Sequence, residues 1–317
     1  MSVTAKHKII LNPTSGRGAG GRSRPAIERR LRDLGVSFDL VLTERPWHAA
    51  ELAEQAAAEG YDVVVAASGD GTANEVLNGV MRANVAKGPE ARQTAMGVLA
   101  VGRGNDFAYG VDVPVGVEAG CRVLAEGRRS RIDVGRAVGG LYPQGRLFGN
   151  GVGIGFDAIV SFEAVKLKPL RGFASYTAAA LKTIFLYDHA PRVRLDYNGQ
   201  SEAQPALMVS VMNGRRLGGG FMMAPESRRD DGAFDVCIAG DATKGHILAL
   251  LPRFMQGTQA GDPVIRYVRT SRLVVTALEG SLPAHIDGET LCVDGHELTL
   301  ELMPRALEMI CGHEATR

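Results

Sequence analysis

Glycine-rich loops follow short apolar runs at three places in the first third of the 317-residue chain. The runs are His7–Leu11, Asp62–Ala67 and Ala95–Val101, and each loop begins at the next residue. Continuous apolar runs of this length are typical of strands that are buried on both faces of a parallel sheet. Because helical patterns follow the loops, the order strand, loop, helix repeats. This alternation predicts a three-layer α/β domain with a parallel sheet and right-handed crossovers.

The pattern changes near Arg131, where short strand-like runs separated by turn signals replace the strand–helix alternation. The turn signals are the dipeptides Asn198-Gly199, Asp231-Gly232, Asp287-Gly288 and Asp294-Gly295. Short strands at this spacing predict an antiparallel β-sandwich. We therefore predict an N-terminal α/β domain over residues 1–133 and a C-terminal β-sandwich over residues 134–302.

Composition argues against several classes of function. The net charge of +1 provides no overall positive field, so we expect no nucleic-acid partner. The four cysteines lack CxxC-type spacing, which argues against a zinc site and suits reduced thiols in a cytoplasmic protein. No run approaches the ~18 apolar residues of a spanning helix, so we expect any membrane contact to be peripheral.

The first loop opens with Asn12-Pro13-Thr14-Ser15-Gly16 and leads into a helical pattern. Glycines there expose backbone N–H groups, and the helix N-terminus adds positive potential, so the loop suits a phosphate. It has neither the GKS/T ending of a Walker loop nor the spacing of a GxGxxG fingerprint. Taken alone, it is explained equally well as a glycine-rich turn between a strand and a helix.

The second loop, Ser68-Gly69-Asp70-Gly71-Thr72, carries a carboxylate at a place that suits a phosphate. Since a carboxylate repels a phosphate, the loop makes sense with a bridging Mg²⁺ or with an ordered metal-bound water. A structural explanation is a capping box in which Thr72 and Glu75 start a helix. That explanation accounts for neither the two glycines nor Asp70.

The third loop, residues 102–108, also follows a buried run, so all three loops are expected at the carboxyl edge of one sheet. Open α/β sheets bind their ligands at that edge. The motifs NPTSG, SGDGTANEVLNG and GRGNDFA, in this order, resemble the diacylglycerol kinase catalytic family, which includes soluble bacterial lipid kinases and the sphingosine and ceramide kinases. The second half agrees at Gly151–Ala158, Pro225–Val236 and Ile286–Glu289. The resemblance covers His7 to Ile310 and is specific for the family but not for the substrate.

The resemblance implies an ATP-dependent and Mg²⁺-dependent lipid kinase with an N-terminal nucleotide-binding domain and a C-terminal lipid-substrate domain. Its active site would lie in the cleft between the two domains, and residues 303–317 would rejoin the first domain. The acceptor would be the hydroxyl of a lipid alcohol, with diacylglycerol converted to phosphatidic acid as the leading candidate. Two alternatives stay open: an NAD kinase-like small-molecule kinase, and a lipid- or nucleotide-binding regulator that has lost catalysis.

The resemblance also assigns roles to individual residues. Glu289 matches the proton acceptor, and Asp70 is expected to act with it. The structural Mg²⁺ site would use Asp231 and the backbone carbonyls of Arg228 and Ala233, whereas Asp106 and Asp133, with Asp70, match a second metal and water network. The nucleotide-binding positions are Asn12, Pro13, Thr14, Ser15, Gly16, Thr43, Ser68, Gly69, Asp70, Gly71, Thr72, Ala73, Asn74 and Arg103.

Two positions depart from the family pattern, and one catalytic assignment depends on an assumed strand. Ser68 replaces a common glycine, which is tolerable if its φ is negative. Arg103 replaces a small hydroxyl residue, so it would have to contact a phosphate in a different way. If His285, Asp287 and Glu289 share one strand, their side chains share one face, and Asp287 joins the catalytic group. The alternative is a type I′ hairpin turn at Asp287-Gly288.

The segment Val165–Tyr187 mixes basic and large apolar residues, as does the shorter segment Leu248–Met255. A basic amphipathic segment can lie on an anionic membrane, which would give the peripheral contact. The simpler explanation is a pair of helices, Phe173–Tyr187 and Lys244–Met255, packed on the sandwich. A homodimer is a further possible partner arrangement.

Overall fold

The computed structural model describes residues 5–166, 173–186 and 189–312, and the chain divides into two compact units. Unit 1 runs to Ile132 and resumes at Arg305, and unit 2 is Asp133–Pro304. The chain passes from one unit to the other inside two strands, β5 (Arg129–Gly139) and β16 (Glu297–Ile310).

Unit 1 has a parallel sheet with the strand order β2-β1-β3-β4, in which β16 pairs with β4. Every residue of β3 and β4 is buried, as expected for central strands that are covered on both faces. The strands and helices of this unit are β1 (Lys6–Leu11), α1 (Ser15–Asp33), β2 (Ser37–Leu42), α2 (His48–Ala58), β3 (Val63–Ser68), α3 (Asp70–Lys87), β4 (Ala95–Ala100), α4 (Asp106–Gly110) and α5 (Val117–Glu126).

The strand order places a topological switch point between β1 and β3. The chain leaves β1 toward β2 and leaves β3 toward β4, in opposite directions along the sheet. With right-handed crossovers, α1 and α3 therefore lie on opposite faces, and the loops that lead into them run from this point toward opposite faces of the sheet. A crevice of this kind outside the carboxyl ends of the strands is where open α/β sheets bind ligands.

Unit 2 is the predicted antiparallel sandwich. One sheet has the order β12-β11-β10-β7-β14-β15, and the other has β16-β13-β8-β9, with β5 pairing β16 and β6. The elements after β5 are β6 (Tyr142–Phe148), β7 (Gly151–Gly155), α6 (Phe156–Lys166), α7 (Phe173–Leu186), β8 (Arg192–Tyr197), β9 (Gln200–Pro205), β10 (Met208–Met212), β11 (Phe234–Ala239), α8 (Lys244–Gln256), β12 (Ile265–Thr270), β13 (Arg272–Ala277), β14 (Leu282–Ile286) and β15 (Glu289–Gly295).

Two apolar layers hold unit 2 together. Val236 and Ile238 of β11 belong to the core between the two sheets, where Phe148 stacks on Phe234 at 5.5 Å between ring centroids. Cys237, between them in sequence, belongs to a second core that also contains residues of α6, α7 and α8. Because side chains alternate along a strand, these helices cover the outer face of the six-stranded sheet.

Several element boundaries differ from the sequence-based predictions. The helical pattern after the first loop begins at about Ser23 in the sequence, whereas helix α1 begins at Ser15, with positive φ angles at residues 16–18. Helix α3 begins at Asp70 rather than at Thr72. The strand-like run Arg146–Gly151 predicts a single strand, but it contains the end of β6 and the first residue of β7. The sequence patterns did not predict α4, α6, β9, β14 or β15. Among the described residues, no helix is long and apolar enough to cross a membrane.

Candidate functional site

Asn12 joins the first two loops of unit 1. Its side-chain Nδ2 donates to Thr72 Oγ1 at 2.9 Å, and its Oδ1 accepts from the Thr14 backbone N–H at 3.0 Å and from Thr14 Oγ1 at 2.8 Å. Its own backbone N–H donates to Ala67 O at 3.3 Å. The loop after β1 and the loop after β3 are therefore fastened together at the switch point.

Glycines allow the third loop to contact the other two. A Cβ added to Gly102 would lie 2.2 Å from the Cα and 2.7 Å from the N of Gly69. A Cβ on Gly16, whose φ is +57°, would lie 2.9 Å from Val101 O. Real side chains do not approach backbone this closely, so glycine is required where the loops touch. The three loops lie together, as their positions after buried runs predict.

The carboxylates of Asp70 and Asp106 both lie close to Gly104. A Cβ on Gly104 would lie 2.7 Å from Asp70 Oδ2 and 3.4 Å from Asp106 Oδ2, and Asp70 Oδ1 accepts the Phe107 N–H at 2.9 Å. In the described part of the chain, no cluster of three or more His, Cys, Asp or Glu side chains could hold a metal ion. Two carboxylates suit Mg²⁺, which takes its remaining ligands from phosphates and water.

The predicted capping box at the start of α3 is wrong. Gly69 is the N-cap residue of this helix and makes no side-chain capping bond. Thr72 Oγ1 instead accepts from Asn12, and Glu75 Oε2 accepts the Ala49 N–H at 3.2 Å in the first turn of α2. Both side chains therefore make long-range contacts that spacing along the chain cannot reveal.

The other predicted nucleotide-binding positions lie along or near the same edge. Ser68 is buried and ends β3 in extended conformation, which meets the condition for replacing glycine. The Thr43 N–H donates to Leu11 O at 2.9 Å, so Thr43 lies beside the start of the first loop. Asn74 is buried in α3, and Arg103 is exposed in the third loop. Their contacts with a nucleotide stay predictions.

Sequence reasoning missed Asn105, which shapes the third loop. It is buried with a left-handed φ of 54°, a conformation that asparagine tolerates better than most residues. Its Oδ1 accepts the Gly102 N–H at 3.0 Å, and its Nδ2 donates to Gly102 O at 3.3 Å. An asparagine that directly follows a glycine cluster is the signal that could have indicated this turn.

In unit 2, Glu289 is the first residue after a two-residue hairpin turn. Ile286 pairs with Glu289, and the two turn residues, Asp287 and Gly288, have φ values of 46° and 84°. Two positive φ values are the mark of a type I′ turn. The assumption that His285, Asp287 and Glu289 share one strand is therefore wrong, because β14 ends at Ile286.

The buried Asp287 carboxylate accepts three backbone N–H groups. Gly149 donates to Oδ2 at 3.0 Å, and Asn150 and Gly151 donate to Oδ1 at 3.1 and 2.9 Å. These bonds hold the hairpin turn against the first residue of β7 and the two residues before it. The geometry gives Asp287 an anchoring role, and its catalytic role stays a prediction.

The Glu289 carboxyl has properties that suit a general base. Although the residue is exposed, the protein atoms around its carboxyl remove water and raise its pKa, and the nearby Arg146 guanidinium opposes this effect. Arg146 is buried, and its Nη1 donates to the Tyr142 hydroxyl at 2.6 Å. A carboxyl with a raised pKa is a stronger base than an ordinary one once it is deprotonated.

Two side chains hold the predicted metal loop around Asp231. Asp133 Oδ2 accepts the Gly232 N–H at 2.8 Å, and Asp231 forms an ion pair with Arg269. One carboxylate and backbone carbonyls are hard oxygen donors of the kind that Mg²⁺ prefers. Arg269, however, already neutralises Asp231, so a metal would have to share this carboxylate. The site at Arg228, Asp231 and Ala233 stays a prediction.

Comparison with known proteins finds two family models along the chain. Residues 6–137 match the diacylglycerol kinase catalytic domain, and residues 150–311 match the YegS C-terminal NAD kinase beta sandwich-like domain. A Staphylococcus aureus protein (strain bovine RF122) named diacylglycerol kinase is 30% identical over 286 residues, which cover 89% of this chain and 85% of the relative.

Solved structures with the same fold come from two enzymes. A diacylglycerol kinase from Bacillus anthracis str. Sterne aligns with a TM-score of 0.73 at 21% identity, covering 98% of both chains. A yeast NADH kinase in complex with NADH aligns with a TM-score of 0.50 at 11% identity, covering 97% of this chain and 83% of the other. At these identities the alignments show the shared fold alone.

Proposed function

The chain belongs to the diacylglycerol kinase catalytic-domain family, and on that premise we propose that it is an ATP-dependent lipid kinase. The reaction transfers the γ-phosphoryl group of ATP to the hydroxyl of a lipid alcohol, with diacylglycerol as the leading acceptor and phosphatidic acid as its product. The observation that carries the proposal is the meeting of three glycine-bearing loops at the switch point of unit 1, with Asp70 and Asp106 beside them.

On the donor side, the backbone N–H groups of the three loops bind the phosphates of ATP. Such groups beside a helix N-terminus are suited to negative charge. Asp70 and Asp106 would hold Mg²⁺, which would neutralise the charge that develops on the phosphates. Asp70 also accepts the Phe107 N–H, so its carboxylate is fixed in direction before any ligand binds.

On the acceptor side, Glu289 accepts the proton of the lipid hydroxyl. A hydroxyl is a weak nucleophile until a base removes its proton, and positioned general bases contribute about 10²–10⁴-fold to a rate. The hairpin gives Glu289 a defined place, because the Asp287 carboxylate fixes the turn that precedes it. Arg146 lies near enough to favour the ionised carboxylate.

The outer helices of unit 2 provide the peripheral membrane contact of a cytoplasmic enzyme. Phe185 and Leu186 at the end of α7 are 70% and 74% exposed, and Leu181 and Leu248 are also exposed. Lys244 donates to the Phe185 carbonyl, so a cation lies beside these apolar side chains. Exposed apolar groups with a neighbouring cation fit the surface of an anionic bilayer. Residues 167–172 and 187 of the predicted membrane segment lie outside the described residues.

The test is a transfer assay with the purified full chain, Mg²⁺ and γ-labelled ATP. We expect label in the lipid fraction when dioleoylglycerol is supplied in mixed micelles, and none in NAD. Label in NAD without label in lipid would favour the NAD kinase-like alternative. The yeast NADH kinase shares the fold of this chain. Binding of ATP and lipid with no transfer to either acceptor would favour the non-catalytic regulator. A second copy of the chain is the other partner that could cover the apolar helices, so light scattering should accompany the assay.

The role of Glu289 is tested by Glu289→Gln. We expect turnover to fall by about 10²-fold or more while the affinity for ATP stays unchanged, because only the base is lost. Glu297→Gln, at an exposed position in β16, is the matched control. Turnover of Glu289→Gln equal to that of the control would remove Glu289 as the base.

A further inference from the structure

Asp157, Ser210 and His285 form a polar trio on the outer face of the six-stranded sheet. His285 is 3% exposed and pairs with Thr290 across the β14–β15 hairpin. The next pair along the hairpin is Ile286 with Glu289. The trio therefore lies one residue pair from the proposed base, although it has no role in the phosphoryl transfer as proposed.

One carboxylate joins three elements in this trio. Nε2 of His285, in β14, lies 3.4 Å from Oδ1 of Asp157, which is in the first turn of α6. Ser210, in β10, donates through Oγ to Oδ2 of the same carboxylate at 2.9 Å. Asp157 thus ties helix α6 to two strands that lie on either side of β7.

The contact crosses β7 only because Gly153 has no side chain. Gly153 is the register partner of both Ser210 and His285. A Cβ at this position would lie 2.3 Å from Asp157 Oδ2 and 2.4 Å from His285 Nε2. Gly153 therefore leaves the space in which the Asp157 carboxylate contacts the outer face of the sheet.

The order of the trio excludes nucleophilic catalysis. In a catalytic triad the histidine lies between the serine and the carboxylate and takes the serine proton. Here the carboxylate lies in the middle, so His285 has no contact with Ser210 through which it could act as a base. Placing a carboxylate and an imidazole beside an apolar layer is unfavourable unless they are paired, and here Asp157 and His285 are partners of each other.

We propose that Asp157 and His285 are positioning residues for Glu289, an inference that rests on the proposed function. Besides the backbone pairing of β14 with β7, two side-chain contacts anchor the Glu289 hairpin. Asp287 holds its turn to residues 149–151, and His285 holds β14 to α6. Loss of the second anchor leaves the turn attached but lets the strand that leads into it shift. A misplacement of about 1 Å can lower a rate by 10²-fold.

The experiment compares two substitutions of His285. The amide nitrogen of His285→Gln reaches the place of Nε2 and can still contact Asp157, whereas the shorter side chain of His285→Asn ends near the place of Nδ1. Nδ1 has no hydrogen-bond partner among the described protein atoms, so glutamine gives up no contact there. We expect His285→Gln to keep most of the wild-type kcat. For His285→Asn we expect a fall of roughly 10–100-fold in kcat with an unchanged KM for ATP.

A matched control and a second measurement separate positioning from other roles. His246→Asn removes the ring from another His–Asp pair of unit 2, in which Nε2 lies 3.0 Å from Asp262, and it should leave kcat unchanged. The rate of backbone hydrogen exchange in peptides that span residues 282–295 measures how firmly the hairpin is held, independently of activity. It should speed up in His285→Asn but not in His285→Gln.

Three results would overturn the proposal. They are an unchanged kcat in His285→Asn, an equal loss of kcat in both His285 variants, and unchanged hairpin exchange in His285→Asn. The reverse pattern, with asparagine active and glutamine inactive, would show that Nδ1 serves the substrate instead. A wild-type enzyme that labels no lipid would defeat the proposed function, and the exchange measurement would still decide whether the anchor exists.

Discussion

Gly102→Ala tests whether the proposed phosphate-binding edge is assembled by backbone contact between loops. The new Cβ would lie 2.2 Å from the Cα of Gly69 and 2.7 Å from its N. Both atoms belong to the backbone, so no side-chain rotation can relieve the overlap, and the second and third loops must separate. Forced overpacking of this kind costs about 1–3 kcal/mol. At roughly 2–4 °C per kcal/mol, the midpoint of thermal unfolding should fall by roughly 2–12 °C.

The assay is thermal unfolding followed by circular dichroism, together with calorimetric titration of ATP. Gly245→Ala is the matched control, because no atom lies within 4 Å of its added Cβ and the residue is in helix α8. The control should be neutral or stabilised by about 0.5–1 kcal/mol, since alanine is the better helix former. A Gly102→Ala protein that unfolds within about 1 °C of wild type and binds ATP equally well would refute the loop contact.

Three further predictions concern charged groups. Burial raises the pKa of the Glu289 carboxyl. If Glu289 is the base, kcat/KM for the lipid at saturating ATP should therefore begin to fall, as the pH is lowered, at a higher pH than for an ordinary carboxyl. An acid limb that persists in Glu289→Gln would belong to another group. Asp70→Ala removes the acceptor of the Phe107 N–H and should lower the free energy of unfolding by about 0.5–2 kcal/mol in denaturant titrations without ligand. No change would show that water replaces this hydrogen bond. If Mg²⁺ binds at Asp231, it should raise the unfolding midpoint of the wild type more than that of Asp231→Ala when both are measured without nucleotide. Equal responses would leave Arg269 as the partner of Asp231.

The sequence indicated the architecture of unit 1 well, because its signals are local. Buried runs followed by glycine clusters predict strands and loops, and strands in a parallel sheet bring their carboxyl ends to one edge. The contacts of Thr72 and Glu75 were not accessible in this way. Their partners, Asn12 and Ala49, are distant in sequence, so a local capping box was the natural but wrong prediction.

In unit 2, the turn of the β14–β15 hairpin was predictable from the sequence, but the contacts that hold this turn in place were not. The dipeptide Asp287-Gly288 predicts a type I′ turn on local grounds, and the turn is present. The three N–H groups that bind the Asp287 carboxylate come from residues 149–151, and no pattern in the sequence links these segments. The contact between His285 and Asp157 depends in the same way on Gly153, whose missing side chain matters only once the strands are paired.

Strand β16 has a consequence for how the protein is made. Its first residues pair with β13 in unit 2, and Met309 near its end pairs with Met96 of β4 in unit 1. A nascent chain that has emerged only as far as Ile132 therefore lacks the strand that pairs with β4 at Met96. Domains fold as units during synthesis, and unpaired strand edges invite association with other chains. Unit 1 is translated first but completes its sheet only after β16 has emerged, and until then the edge of β4 is open to association with other chains.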